Sequence, residues 1–334
     1  MESIENENLS TYVTDEDIKN GIEDEFGVVY SKDGKRLLKG NEDLETYTIK
    51  KGTRVICEKA FWCCKLQQIT IPDLVTSIGN DAFTFCFSLQ QITIPDSVTY
   101  IGDSAFHNCK SLQQITIPDS VTSIGKSTFY CCESLKQITI PNSIIRIGED
   151  AFYYCESLQQ ITIPDSVTNI DAGAFTHCIN LNLKSNSNRF VIIDKLLIDN
   201  IERRLISYFG TDNCLIIPDS LMSIGNSAFA LCESLQQITI PDSVISIGNN
   251  AFYCCGFLQQ INIPISVTNI EQRAFWGCES LKQINIPVSV TYIGNEALGW
   301  CKSLQYIIIP EGTTEKFKKM LDEDLWNKLI ENQQ

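Results

Sequence analysis

The spacing of the prolines leaves this chain the least freedom. All ten sit at Pro72, Pro95, Pro118, Pro141, Pro164, Pro218, Pro241, Pro264, Pro287 and Pro310, a step of 23 residues broken once by a jump of 54. A fixed period of a few tens of residues marks a solenoid, in which each unit buries its apolar face only against its neighbours. The chain therefore cannot close one central core and must grow by addition.

Within each period runs L-Q-Q-I-T-I-P, then D-S-V-T-x-I-G, then x-x-A-F-x-x-C. The two isoleucines of L-x-x-I-x-I are two residues apart and share one face of a short strand, so Ile92 and Ile94 point inward and Gln91 and Thr93 outward. Proline has no N–H and ends the strand's hydrogen bonding. Asp96 and Ser97 suit the turn that follows, because their side chains can bond nearby backbone N–H groups. Val98 to Ile101 reads as a second extended piece closed by Gly102. Asp103 and Ser104 are expected to cap one helical turn that carries Ala105 and Phe106. Cys109 and Leu112 bring the chain back inward.

This phrase resembles the BspA-like leucine-rich repeat family, over about residues 47–310 in ten units. The resemblance implies an α/β repeat solenoid: a right-handed superhelix with a parallel β-sheet on the concave face, and short strands and single helical turns on the convex side. It also implies a non-enzymatic interaction protein, with a cell-surface adhesin that binds host or matrix proteins as the sharper version.

Flanking segments set the domain plan. Residues 1–26 hold nine acidic residues and one lysine, and 1–25 reads as a flexible acidic arm. Residues 26–46 are expected to form a β-hairpin cap around Lys32-Asp33-Gly34, covering the open edge of a degenerate first unit with Lys50 in the proline slot. Repeats then fill 47–184 in six units and 215–310 in four. Between them, 185–214 echoes the cap at an offset of 168: Leu197 answers Val29, Arg204 answers Arg36 and Leu205 answers Leu37. A continuous solenoid with an irregular inserted unit is the favoured arrangement, since Leu181 and Leu183 resemble a truncated strand; two capped arrays fused near Ser185 to Asn188 are the alternative. Residues 311–334 read as a capping helix started by Thr313 or Thr314, with Phe317, Met320, Leu321, Leu325, Leu329 and Ile330 as its apolar stripe.

A net charge of -15 and a pI near 4.6 argue against nucleic acid and anionic membrane surfaces as partners. No apolar leader and no bilayer-length segment is visible. Ten of the fifteen cysteines form a ladder, from Cys64 to Cys301, each three residues after the core Phe or after the Leu298 that replaces it. Stacked side chains point in parallel, which disfavours bridging, so reduced core thiols are expected. These features favour a cytoplasmic location, with the cell surface or secretion as the alternative.

Chemistry finds little footing. Gly125-Lys126-Ser127 has the end of a phosphate-binding loop but lacks its upstream glycine. His107 and His177 lie near Cys109 and Cys178, which belong to the core ladder. Asp73, Asp96, Asp119, Asp165, Asp219 and Asp242 form a row that one carboxylate per unit makes a poor calcium site. No catalytic residue, cofactor or metal is expected; a hydrolase or metal-binding repeat is the least favoured alternative. Two surfaces remain. The concave sheet is an uncharged face of glutamines and threonines. The two positions between Phe and Cys carry Trp62, Phe85, His107, Tyr130, Tyr153, Tyr154, His177, Tyr253, Trp276 and Trp300, and aromatics are the residues that anchor protein interfaces. Either each ring packs over the next period's turn as part of the outer shell, or the stripe is a contact surface. The expectation is a monomeric scaffold that binds a protein partner through an elongated solenoid surface, with Trp62, Phe85, Tyr130, Tyr153, Tyr154, His177, Tyr253, Trp276 and Trp300 as the candidate contact residues.

Overall fold

The structure, a computed structural model, describes residues 9–332. It is a parallel-sheet β-solenoid, and its contacts group it into two compact units: Met1–Asp171 with Asn180–Ser187, and Ala172–Ile179 with Asn188–Gln334.

Most regular periods give two short strands. In the first unit one sheet carries Thr46–Thr48, Gln68–Thr70, Gln91–Ile92 and Gln114–Ile115 in parallel register, so that Gln68, Gln91 and Gln114 lie side by side. Bridges at Gln137 and Gln160 continue the row, and Gln160–Ile163 pairs with Asn182–Ser185, the strand foreseen around Leu183. The second sheet takes the V-T-x-I strands: Val55–Ile56, Ser77–Ile78 and Tyr100–Ile101. Proline closes the bend between the sheets, the Val98 N–H donating to the Pro95 carbonyl at 3.0 Å.

The third side differs from expectation. Instead of a capped helical turn, two residues four apart take a left-handed conformation, Ser104 at φ 57° and Asn108 at φ 58°. The N–H groups of Ser104, Phe106 and Asn108 then donate to Lys126, Thr128 and Tyr130 of the next period, at 2.8, 3.0 and 2.7 Å. Those of Ala105, His107 and Cys109 close turns on carbonyls three residues back. A left-handed residue costs about 1–2 kcal/mol, which a period-to-period hydrogen bond offsets. Asp103 does not cap its own turn: its carboxylate accepts the Lys126 N–H of the next period at 2.8 Å, as Asn80 accepts that of Asp103 at 3.0 Å. Ser97 likewise reaches back, its hydroxyl donating to the Val75 carbonyl at 2.7 Å. Gly102 is required by this close approach, because a Cβ there would lie 2.5 Å from the Asn80 nitrogen.

The core is a set of columns. Phe61, Phe83, Phe106, Phe129 and Phe152 stack with centroids 5.4 to 5.7 Å apart in the first unit, and Phe229, Phe252 and Phe275 at 5.0 and 5.2 Å in the second. All are fully buried. Most of the ladder thiols beneath them have a carbonyl partner. The sulfurs of Cys86, Cys109, Cys132, Cys255, Cys278 and Cys301 donate to the carbonyl of the phenylalanine one period earlier, at 3.1 to 3.2 Å.

Both units begin with antiparallel strands. In the first, Ile22–Glu23, Val29–Tyr30 and Arg36–Lys39 form a meander whose last strand pairs in parallel with Val55–Ile56. In the second, Phe190–Ile193, Leu196–Asp199 and Arg204–Tyr208 do the same, and Arg204–Tyr208 pairs with Ser223–Ile224. The offset of 168 holds in the pairing: Val29 faces Lys39 and Tyr30 faces Leu37, while Leu197 faces Ser207 and Ile198 faces Leu205. Both pairs carry a register shift at the same step.

Two terminal expectations are corrected. Residues 1–8 of the acidic arm lie outside the described residues, but 9–25 are ordered. Thr14 caps the helix Asp15–Asn20 in a reciprocal capping box with Asp17, and Arg36 binds Asp17 at 2.9 Å. At the other end the helix is only Thr314–Lys318; a 3₁₀ turn at Glu323–Lys328 and a strand at Leu329–Asn332 follow. The strand pairs with Tyr306–Pro310, whose backbone groups would otherwise form an open edge. Phe317, Leu321 and Leu325 are buried as expected, whereas Ile330 is exposed. Neither threonine side chain caps the helix: Thr313 donates to the Pro310 carbonyl and Thr314 to Glu331.

Candidate functional site

The aromatic positions fall in two slots of the left-handed turn. Trp62, His107, Tyr130, Tyr153, Tyr253 and Trp276 directly follow the core ring. Phe85, Tyr154, His177 and Trp300 come one residue later, at positive φ of 62°, 62°, 62° and 55°. That left-handed backbone turns the N–H of Phe85 onto the His107 carbonyl and sends its ring outward beside the first slot.

In the first unit the rings form one run. Trp62 meets Phe85 edge-on at 5.9 Å and Phe85 meets His107 edge-on at 5.6 Å. His107, Tyr130 and Tyr153 then stack face to face at 4.7 and 4.9 Å, with Tyr154 beyond at 6.5 Å. In the second unit Tyr253 stacks on Trp276 at 4.9 Å, and Trp276 meets Trp300 at 5.9 Å. His177 belongs to this unit and is half-buried. Exposure is uneven: Trp62 is 47% and Trp300 65% exposed, whereas Tyr153 is buried. Packing thus accounts for Tyr153 in the middle of the first run, while Trp62 at the start of that run and Trp300 at the end of the second present exposed ring surface.

Trp62 stands between two hollows. One, of about 560 Å³, is lined by Tyr12, Val13, Ile18 and Leu38 with Lys39, Glu42, Glu58 and Lys59. The other, of about 460 Å³, lies toward Phe85, His107 and Asp81. Sequence reasoning missed the first because residues 9–25 read as a mobile arm; the T-D-E-D capping box at Thr14 was the available signal.

Electrostatics here do not activate a nucleophile. Burial pushes the Cys64 and Cys301 thiols up to about 12 and Cys131 up to about 11, so they stay protonated at neutral pH. Cys109 donates to the Phe83 carbonyl, not to His107. Burial among the rings also lowers the His107 pKa, against a weaker opposing pull from Asp81. In the Gly125-Lys126-Ser127 turn, Lys126 pairs with Glu149 at 2.6 Å and Ser127 takes φ 52°. Among the described residues no group of three or more His, Cys, Asp or Glu is placed to hold a metal ion, and no helix is long and apolar enough to cross a membrane.

The family model for the BspA type leucine rich repeat region matches residues 36–184 and 207–321, in six copies. A leucine-rich cell surface protein from Faecalibacterium prausnitzii is 29% identical with a TM-score of 0.61, covering 94% of this chain and 98% of that one. A leucine-rich repeat protein from Eubacterium ventriosum is 25% identical with a TM-score of 0.66, covering 85% and 76%. The pneumococcal vaccine antigen PcpA shares the fold, with a TM-score of 0.60 at 17% identity over 94% and 96% of the two chains. No curated protein matches the chain.

Proposed function

The chain belongs to the BspA-type leucine-rich repeat family, and from that premise we propose that it is a non-enzymatic scaffold that binds a protein partner through the exposed ends of its aromatic runs. The observation that carries this is Trp62, half exposed and set between two hollows that a partner's side chains can fill. Trp300, the most exposed of the stripe's rings, ends the run of the second unit. Tryptophan at the centre of a desolvated contact typically accounts for 2 kcal/mol or more of affinity, about 30-fold. Residues of the stacked middle, such as Tyr153, give the rings a rigid base and so lower the ordering cost of binding.

The test is capture of a partner by the full chain, followed by titration of that purified partner. Trp62→Ala and Trp300→Ala should each weaken binding about 30-fold with the thermal midpoint unchanged. Undiminished binding by the double variant would remove the stripe as the contact surface. A surface adhesin is the sharper reading, supported by the likeness to the Faecalibacterium prausnitzii cell surface protein. Protease shaving of intact cells decides it: full protection of the chain ends the adhesin reading and leaves an intracellular scaffold.

A further inference from the structure

Two consecutive periods of the second unit depart from the repeat at the same two slots. Where their neighbour carries Thr239 and Asp242, they carry Asn262 with Ile265 and Asn285 with Val288. The paired strands set Gln260 opposite Gln283 and Asn262 opposite Asn285, and Gln237 continues the row. The isoleucine at the centre of each strand is buried, and the amides on either side face outward. They line a hollow of about 450 Å³ on the sheet face, within the size range of small-ligand sites. No titratable side chain lines it. Asn285 donates its amide to the Asn262 oxygen at 3.2 Å, which leaves the Asn285 oxygen buried with no partner. One strand further, Tyr306 stands opposite Gln283, 46% exposed, in the slot the neighbouring strands fill with glutamine.

An uncharged hollow in a chain of net charge -15 suits a neutral ligand. The backbone of these strands is already paired on both sides, so the face has no edge to which a peptide strand could add. It offers only side chains. Amides both donate and accept, as a row of hydroxyls requires. A tyrosine ring beside them supplies a flat apolar floor with a polar tip. We propose that this hollow binds a neutral oligosaccharide, with Asn262, Asn285 and the glutamine row bonding sugar hydroxyls and Tyr306 lying against a pyranose ring. The site is separate from the aromatic stripe and stands or falls independently of it.

Native gels cast with dextran, mannan or laminarin test this on the full chain. At least one polysaccharide should retard the protein, and the matching free monosaccharide should reverse the shift. Asn262→Thr with Asn285→Thr, and separately Tyr306→Gln, restore residues the repeat carries elsewhere and so preserve the fold. Each should weaken retardation at least tenfold, while Trp62→Ala leaves it unchanged. No retardation by any of the three polysaccharides overturns the proposal. So does retardation that survives the threonine variant, or loss in that variant of a peptide partner rather than a sugar.

Discussion

Most of the cysteines that follow a core phenylalanine, Cys109 among them, are held by the sulfur as well as by burial. Because the thiol donates to a carbonyl one period back, Cys109→Ala loses a hydrogen bond and opens a small cavity. The expected cost is about 1–2 kcal/mol in urea unfolding. Ladder thiols should react with a disulfide reagent only on unfolding, whereas exposed Cys214 reacts at once. His107 offers a pH readout. Its folded pKa lies below the unfolded value of about 6.5, so its contribution is complete above that pH and falls as acid protonates the unfolded chain first. His107→Phe should therefore lose less stability between pH 7.5 and pH 5 than the parent chain does. Columns of Phe, Cys and Ile were legible in the sequence, since a period that repeats a residue stacks it. The partners of Asp103 and Ser97 were not, because those bonds run to a neighbouring period and local motif logic looks within one turn.

At the level of elements, the opening and closing pieces depart most from sequence expectation. A helical stripe at 311–334 was sound as a burial pattern for Phe317, Leu321 and Leu325, but the need to pair Tyr306–Pro310 draws Leu329–Asn332 into a strand. Removing residues 329–334 should expose that edge, lower the thermal midpoint and make the protein self-associate with rising concentration, measurable by light scattering. The meanders were foreseen as hairpins around Lys32-Asp33-Gly34 and its echo; the outer strands Ile22–Glu23 and Phe190–Ile193 were not, as neither carries the repeat's pattern.

Across the molecule, the period itself is the unit of stability. Deleting Asp96–Pro118 removes one complete 23-residue period and rejoins Pro95 to Asp119 in register. The product should fold cooperatively, with stability lowered by about one inter-period interface. Deleting Asp96–Phe106 instead should abolish cooperative melting, since it takes Val98, Ile101, Ala105 and Phe106 out of their columns and leaves Cys109, Leu112 and Ile115 of the same period without them. The aromatic stripe was legible as a line of variable rings in a fixed frame. Which of them stay exposed was not, because that depends on how each left-handed turn seats its ring against the next.

The two antiparallel meanders share their register and even its irregular step, and each joins strands only a few residues apart. Short loops close quickly, whereas stacking successive periods must bring together residues 23 apart. A chain emerging unfolded thus carries two local seeds from which ordering can spread, and growth of the second array need not wait for completion of the first.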